Sequence, residues 1–177
     1  MSNNNNHKRG VAPRFHEALS TGWGIGFLPG APGTYAAFAA LIAWYILYLV
    51  LPVGALFPTT LALIAATTVI GAWTSRVMER YWGEDPRAVI IDEYIGSWIP
   101  ALAAPVADDC ATTALLALFG FACFRIIDIF KPLGCRQMEK IPNGWGVMLD
   151  DALAGIYALV LTWALRWALL GTPAFPC

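Results

Sequence analysis

Charge is what this 177-residue chain lacks most. Only 13% of its residues are Asp, Glu, Lys or Arg, about half the share of an average soluble domain. From Ala18 to Ser75 there are none, a run of 58 residues. A soluble fold rarely goes that far without a solvated charge, so the run points to a membrane. Net charge is −1 and no Lys/Arg stripe is interleaved with aromatics, so no nucleic acid partner is expected. Histidine is scarce as well: His7 and His16 both lie near the N-terminus. Their position argues against a Ser-His-Asp triad and against phosphohistidine chemistry. The four cysteines, Cys110, Cys123, Cys135 and Cys177, show no CxxC spacing, and none has the C-x5-R spacing of cysteine phosphatases. They read as packing residues of a reduced compartment. No DxDx[TV] motif for an aspartyl-phosphate enzyme is present.

What the chain has in excess is apolar surface: 58% hydrophobic residues, against about 45–50% in soluble domains. Prolines and glycines divide it into segments near Tyr35–Leu51, Thr59–Ser75, Tyr94–Ala107, Cys110–Phe124 and Ala152–Leu170. Several are shorter than the ~20 residues of a full helical crossing, so tilted or re-entrant pieces are expected among them. The predicted fold is all-α, a multi-helix membrane-embedded bundle with four to five apolar helical segments. Residues 1–18 read as a flexible polar tail and 19–172 as a single domain. The polar start has no apolar run behind it, so no cleavable signal peptide is expected.

Ten of the eleven basic residues fall on one side of this arrangement. That side is predicted to face the cytoplasm by the positive-inside rule. Arg166 is the exception, and its place near the end of the last segment predicts that it snorkels to the far interface. Asp92, Glu93, Asp128, Asp150 and Asp151 all fall on the basic-rich side. Asp92 and Glu93 open an apolar helix, where capping and dipole complementarity would explain either one alone. Arg125, Asp128 and Lys131 recur every three residues and share a helix face. Charge at the edge of a membrane segment is costly and tends to be functional. Asp150 and Asp151 follow the turn of Asn143, Gly144 and Gly146.

Five converging carboxylates need a compensating cation, and oxygen ligands suit Mg²⁺. Such an ion can polarise a phosphoryl group, while Arg125, Lys131, Arg136 and Lys140 offer cations for phosphate oxygens. The stretch from Ser20 to Ala37 has glycines at 22, 24, 26, 30 and 33 but no Walker lysine. Its backbone N–H groups suit an anion nest, or simply a tight turn into the first span.

These motifs together resemble the phosphatidylglycerophosphatase A family. The resemblance covers about residues 19–157. It rests on the Gly-rich stretch Gly22–Thr34, on DExxG (Asp92, Glu93, Gly96), on FRxxDIxKP (Phe124–Pro132) and on NGxGVMxDDxxAG (Asn143–Gly155). It implies a bacterial, Mg²⁺-dependent, mostly helical enzyme at the cytoplasmic face of the inner membrane. The enzyme would convert phosphatidylglycerophosphate to phosphatidylglycerol. It implies that Asp92, Glu93, Asp128, Asp150 and Asp151 are the metal-binding and water-activating acids. Arg125 and Lys131, with Arg136, would grip the phosphate, and the loop with Gly30, Gly33 and Thr34 would cradle it. The chain departs from the family where Ile25, Leu28, Ala36 and Ala37 replace small Gly or Ser residues. Two other readings stay open. A CDP-alcohol phosphatidyltransferase also sets acids at a membrane interface, although DDALAG lacks that family's Arg and downstream Asp residues. A non-catalytic divalent-cation-binding membrane protein would be expected to bury its acids mid-span.

Overall fold

The computed structural model describes residues 11–83, 86–132 and 134–171. Seven α-helices and one 3-10 turn form among them, and no strand. In chain order these are α1 (Arg14–Ser20), the 3-10 turn (Ile25–Phe27), α2 (Pro32–Val50), α3 (Val53–Trp82), α4 (Asp92–Ala101), α5 (Cys110–Phe130), α6 (Cys135–Met138) and α7 (Trp145–Leu170). The all-helical expectation is met. Helices α2, α3, α5 and α7 are long and apolar enough to cross a membrane. Large apolar side chains such as Ile46, Val69, Leu115 and Val160 point outward from them, as lipid-facing residues do.

Several boundaries differ from the sequence expectation: α5 runs on past Phe124 to Phe130, and α7 begins at Trp145 rather than Ala152. The break at residues 52–58 is only a turn at Leu51 and Pro52, and Pro58 lies inside α3. A proline costs a helix the bond to the carbonyl four residues back. Here that carbonyl belongs to Gly54 in the first turn, where the loss is least disruptive. At the N-terminus, Arg14–Ser20 is helical and packs on α3, so ordered structure begins inside the stretch expected to be a tail. Residues 1–10 and 172–177, which include Cys177, lie outside the described residues.

The segment Tyr94–Ala107 is the least regular. Helix α4 has 10 residues, about 15 Å, half the thickness of a hydrocarbon core. Its residues Ile95–Ala101 are all buried, with α2, α3, α5 and α7 packed around it. Small residues permit the approach: a Cβ on Gly96 would meet the Phe124 ring at 2.1 Å, and one on Gly155 would lie 3.0 Å from the Gly96 carbonyl oxygen. Ser97 Oγ donates to the Ala37 carbonyl at 3.1 Å, tying α4 to α2.

Beyond Ala101 the chain reaches the far end as irregular backbone. Non-helical backbone at membrane depth must have its polar groups met by protein. Arg166 of α7 meets two of them: Nη1 donates to the Ala103 carbonyl at 3.3 Å and also to that of Pro105. The Tyr48 hydroxyl donates to the Val106 carbonyl at 2.9 Å, and the Val106 N–H to Thr113 Oγ1 at 2.9 Å. Arg166 is only 6% exposed. It therefore turns inward, and the expectation that it snorkels is corrected: the carbonyls left by the broken helix draw it in.

Candidate active site

The chain order brings the starts of α2, α4 and α7 and the end of α5 to one end of the bundle. A cleft of about 670 Å³ opens between them. The turn before α7 is set by Gly144, in the left-handed region at φ 74°, where a Cβ would also strike the Ala72 carbonyl oxygen at 2.4 Å. This turn delivers Asp150 and Asp151 to the cleft from the second turn of α7. Asp92 and Glu93 arrive from the first turn of α4. Arg125 and Asp128 come from the last turns of α5, and Lys131 caps that helix in the left-handed region at φ 45°.

All five sequence-predicted acids line this one cleft. Ligand oxygens of Asp128, Asp150 and Asp151 lie within 4.8 Å of one another, a spacing suited to one cation. Asp150 and Asp151 are 4% and 3% exposed. Asp92 Oδ1, Asp150 Oδ1 and Asp151 Oδ2 are buried without a hydrogen-bond partner. Buried carboxylate oxygens left unpaired carry a large desolvation cost. An oxygen-coordinated ion such as Mg²⁺ would satisfy them, so the donor set fits the expected metal.

Two cations sit among the acids. Arg125 Nη1 bonds both Glu93 Oε2 and, at 2.9 Å, Asp128 Oδ2. Arg125 Nε is buried and free of partners. Lys131 Nζ bonds Asp150 Oδ2 at 2.7 Å and Glu139 Oε1 at 3.2 Å. Partial burial works against the Lys131 charge, but the bonds and charges of Asp150 and Glu139 outweigh it. Its pKa is raised above the ordinary lysine value, so it stays protonated throughout the neutral range.

The Gly-rich stretch divides in two. Gly30, Ala31, Pro32 and Gly33 line the cleft. A Cβ on Gly33 would fall 1.9 Å from Glu93 Oε1 and 3.4 Å from Arg125 Nη2, so a side chain there would push the Glu93 carboxylate from its place on Arg125. Gly22 and Gly26 pack elsewhere, against Tyr94, Ile90 and Ala88. Thr34 and Arg136 are not among the residues lining the cleft, and Arg136 is exposed. Two lining residues escaped the sequence reading of the site, Glu139 and Arg87. Glu139 stood eight residues beyond Lys131 with no motif around it. Arg87, an exposed residue five positions before Asp92, counted only toward the positive side. Six acids and three bases line the cleft, an excess of three negative charges.

Apolar helices long enough to span, with an acid cluster and interleaved cations at one end, define a membrane protein with a charged site suited to a metal ion and a phosphate. The phosphatidylglycerophosphatase A family model matches residues 18–166. This chain belongs to that family and is a phosphatase. It is 32% identical over 154 residues to phosphatidylglycerophosphatase A of Haemophilus influenzae, covering 86% of this chain and 89% of that one. The Escherichia coli enzyme of the same name is 31% identical over 142 residues, 78% of this chain and 76% of its own. A Bacteroides thetaiotaomicron protein with the provisional name phosphatidylinositol-3-phosphatase is 48% identical over 151 residues, 85% of this chain and 93% of its own. No solved structure matches. Membership decides for a phosphatase over the phosphatidyltransferase and the non-catalytic cation-binding readings.

Proposed function

We propose that the protein hydrolyses the terminal phosphate monoester of phosphatidylglycerophosphate, giving phosphatidylglycerol and phosphate, at the cytoplasmic face of the bacterial inner membrane. The observation that carries this reading is the pairing of three orphaned carboxylate oxygens with two cations in one cleft. Asp128, Asp150 and Asp151 would hold Mg²⁺. When bound, the ion supplies Lewis-acid polarisation of the phosphoryl group and offsets its charge. Arg125 offers its buried Nε, and Lys131 its ammonium, to the phosphate oxygens. Glu93 holds the guanidinium in place. Asp92 lies outside the three-acid set and lines the same cleft. In this reading it takes the proton of the attacking water and returns it to the leaving glycerol oxygen as the phosphorus–ester oxygen bond breaks. That ten of the eleven basic residues fall on the acid-bearing side of the sequence pattern supports a cytoplasmic orientation.

The 48% identical relative favours a second reading, in which the alcohol is an inositol lipid. The two share the chemistry of a phosphate monoester on a polyol headgroup. Purified protein in detergent is given phosphatidylglycerophosphate and, separately, phosphatidylinositol 3-phosphate. Phosphate release is followed with Mg²⁺, with chelator, and after Mg²⁺ is restored. Mg²⁺-dependent release from the first substrate is expected. Release from the inositol lipid alone would replace the first reading with the second, and release from neither would overturn both.

A further inference from the structure

A second hollow lies on the side of the bundle, between α2 and α5. Its volume is about 200 Å³, and its walls are Phe38, Ile42 and Ile46 on one side and Ala114, Ala117 and Leu118 on the other. The lining is almost wholly apolar. Phe38, Ile42, Ile46 and Leu118 are each close to half exposed, so the hollow opens sideways toward lipid. At its far limit the Tyr45 hydroxyl donates to the Cys110 carbonyl at 3.0 Å, linking the helices.

The same two helices bound the acid-lined cleft, through Gly33 on α2 and Arg125 and Asp128 on α5. From Gly33 the hollow runs down α2 from Phe38 to Ile46, about 8 to 20 Å below the cleft at 1.5 Å per residue. That is the depth of the hydrocarbon beneath a headgroup plane. The Phe38 ring of the hollow's wall meets the Phe121 ring of α5, with centroids 5.8 Å apart. We infer that the hollow between α2 and α5 is the seat of one acyl chain of the lipid substrate, holding the molecule while its phosphate reaches the cleft. The inference rests on the reading of the cleft as the headgroup site. In a bilayer there is no hydrophobic gain in moving a chain from lipid to protein, so selectivity here comes from shape and close packing.

Ala114→Phe fills the hollow from its floor, and Ile42→Ala widens it. Each variant is assayed on long-chain phosphatidylglycerophosphate and on the dihexanoyl form, whose chains are too short to reach past Phe38. Ala114→Phe is expected to lower kcat/KM for the long-chain lipid about tenfold and to leave the dihexanoyl value within about twofold. Ile42→Ala is expected to shift the same ratio in the same direction by about threefold. Unchanged long-chain turnover in both variants overturns the inference, because bulk lipid then fills the hollow without consequence. An equal loss on both substrates overturns it too, as expected if a second copy of the chain seats there or the fold is damaged. Absence of turnover by the wild-type protein on either lipid would instead remove the headgroup reading beneath it.

Discussion

Arg125 and Arg166 both sit in helices apolar enough to cross a membrane, near opposite ends of the bundle. Arg125 is bound by carboxylates, Glu93 and Asp128. Arg166 is bound by backbone carbonyls, those of Ala103 and Pro105. The first leaves oxygens unpaired around it, on Asp92, Asp150 and Asp151. The second uses up acceptors that a broken helix would otherwise leave exposed at depth. A buried cation among unsatisfied acids is poised for chemistry, whereas one among satisfied carbonyls is scaffold. Each arginine keeps a buried Nε without a partner, so the difference lies in what surrounds it: unpaired carboxylate oxygens at one end, bonded carbonyls at the other.

The contrast is broken most sharply at Asp151. Asp151→Asn is expected to lower phosphate release by about a thousandfold, because an ion ligand in a dry site is lost. Without divalent ion the variant should melt no lower than wild type, since one of several repelling acids is neutralised. Mg²⁺ should raise the melting temperature of wild type and not of the variant. Retained turnover, or an unchanged response to Mg²⁺, would contradict the role given to Asp151.

At the other end the ranking reverses. Arg166→Met orphans two buried carbonyls, each with a cost of about 1–3 kcal/mol. Chemical denaturation in detergent should show a loss of about 2–4 kcal/mol, with turnover per folded molecule nearly unchanged. A variant as stable as wild type would show that those carbonyls find other donors. Gly33→Ala places a methyl on the Glu93–Arg125 pair. It should cost about ten- to a hundredfold in kcat/KM, with little change in melting temperature. Lys131→Met should cost about tenfold, and Arg136→Ala less than about twofold, when assayed side by side. Equal effects of these two would show that the exposed Arg136 reaches the phosphate after all.

The cleft was largely legible in the sequence because its parts are local. Arg125, Asp128 and Lys131 announce a shared face by spacing alone, and Asp150 and Asp151 sit at the edge of an apolar run. Counting basic residues then places all five acids at one end. What stayed hidden depends on distant partners. A lone arginine near the end of an apolar segment looks the same whether it reaches out or turns in. Only the carbonyls of Ala103 and Pro105, some sixty residues away in the chain, decide it. The run from Tyr94 to Ala107 gives no sign of where its helix stops, because apolar residues suit a buried irregular strand as well as a helix. Pro58 read as a break since sequence does not show how near a helix start it lies. Glu139 and Arg87 reach the cleft by loop paths that carry no motif.

Among the described helices of ten or more residues that line the cleft, α2, α4 and α7 begin there and α5 ends there. Each helix start carries roughly half a positive charge and each end half a negative one. The backbone alone therefore supplies a field of about one positive charge at the place where the side chains are most acidic. The peptide dipoles cannot be titrated or removed by a chelator. An arriving phosphate would thus meet a permanent attraction beside that of any bound ion, and of the two only the ion could be washed away.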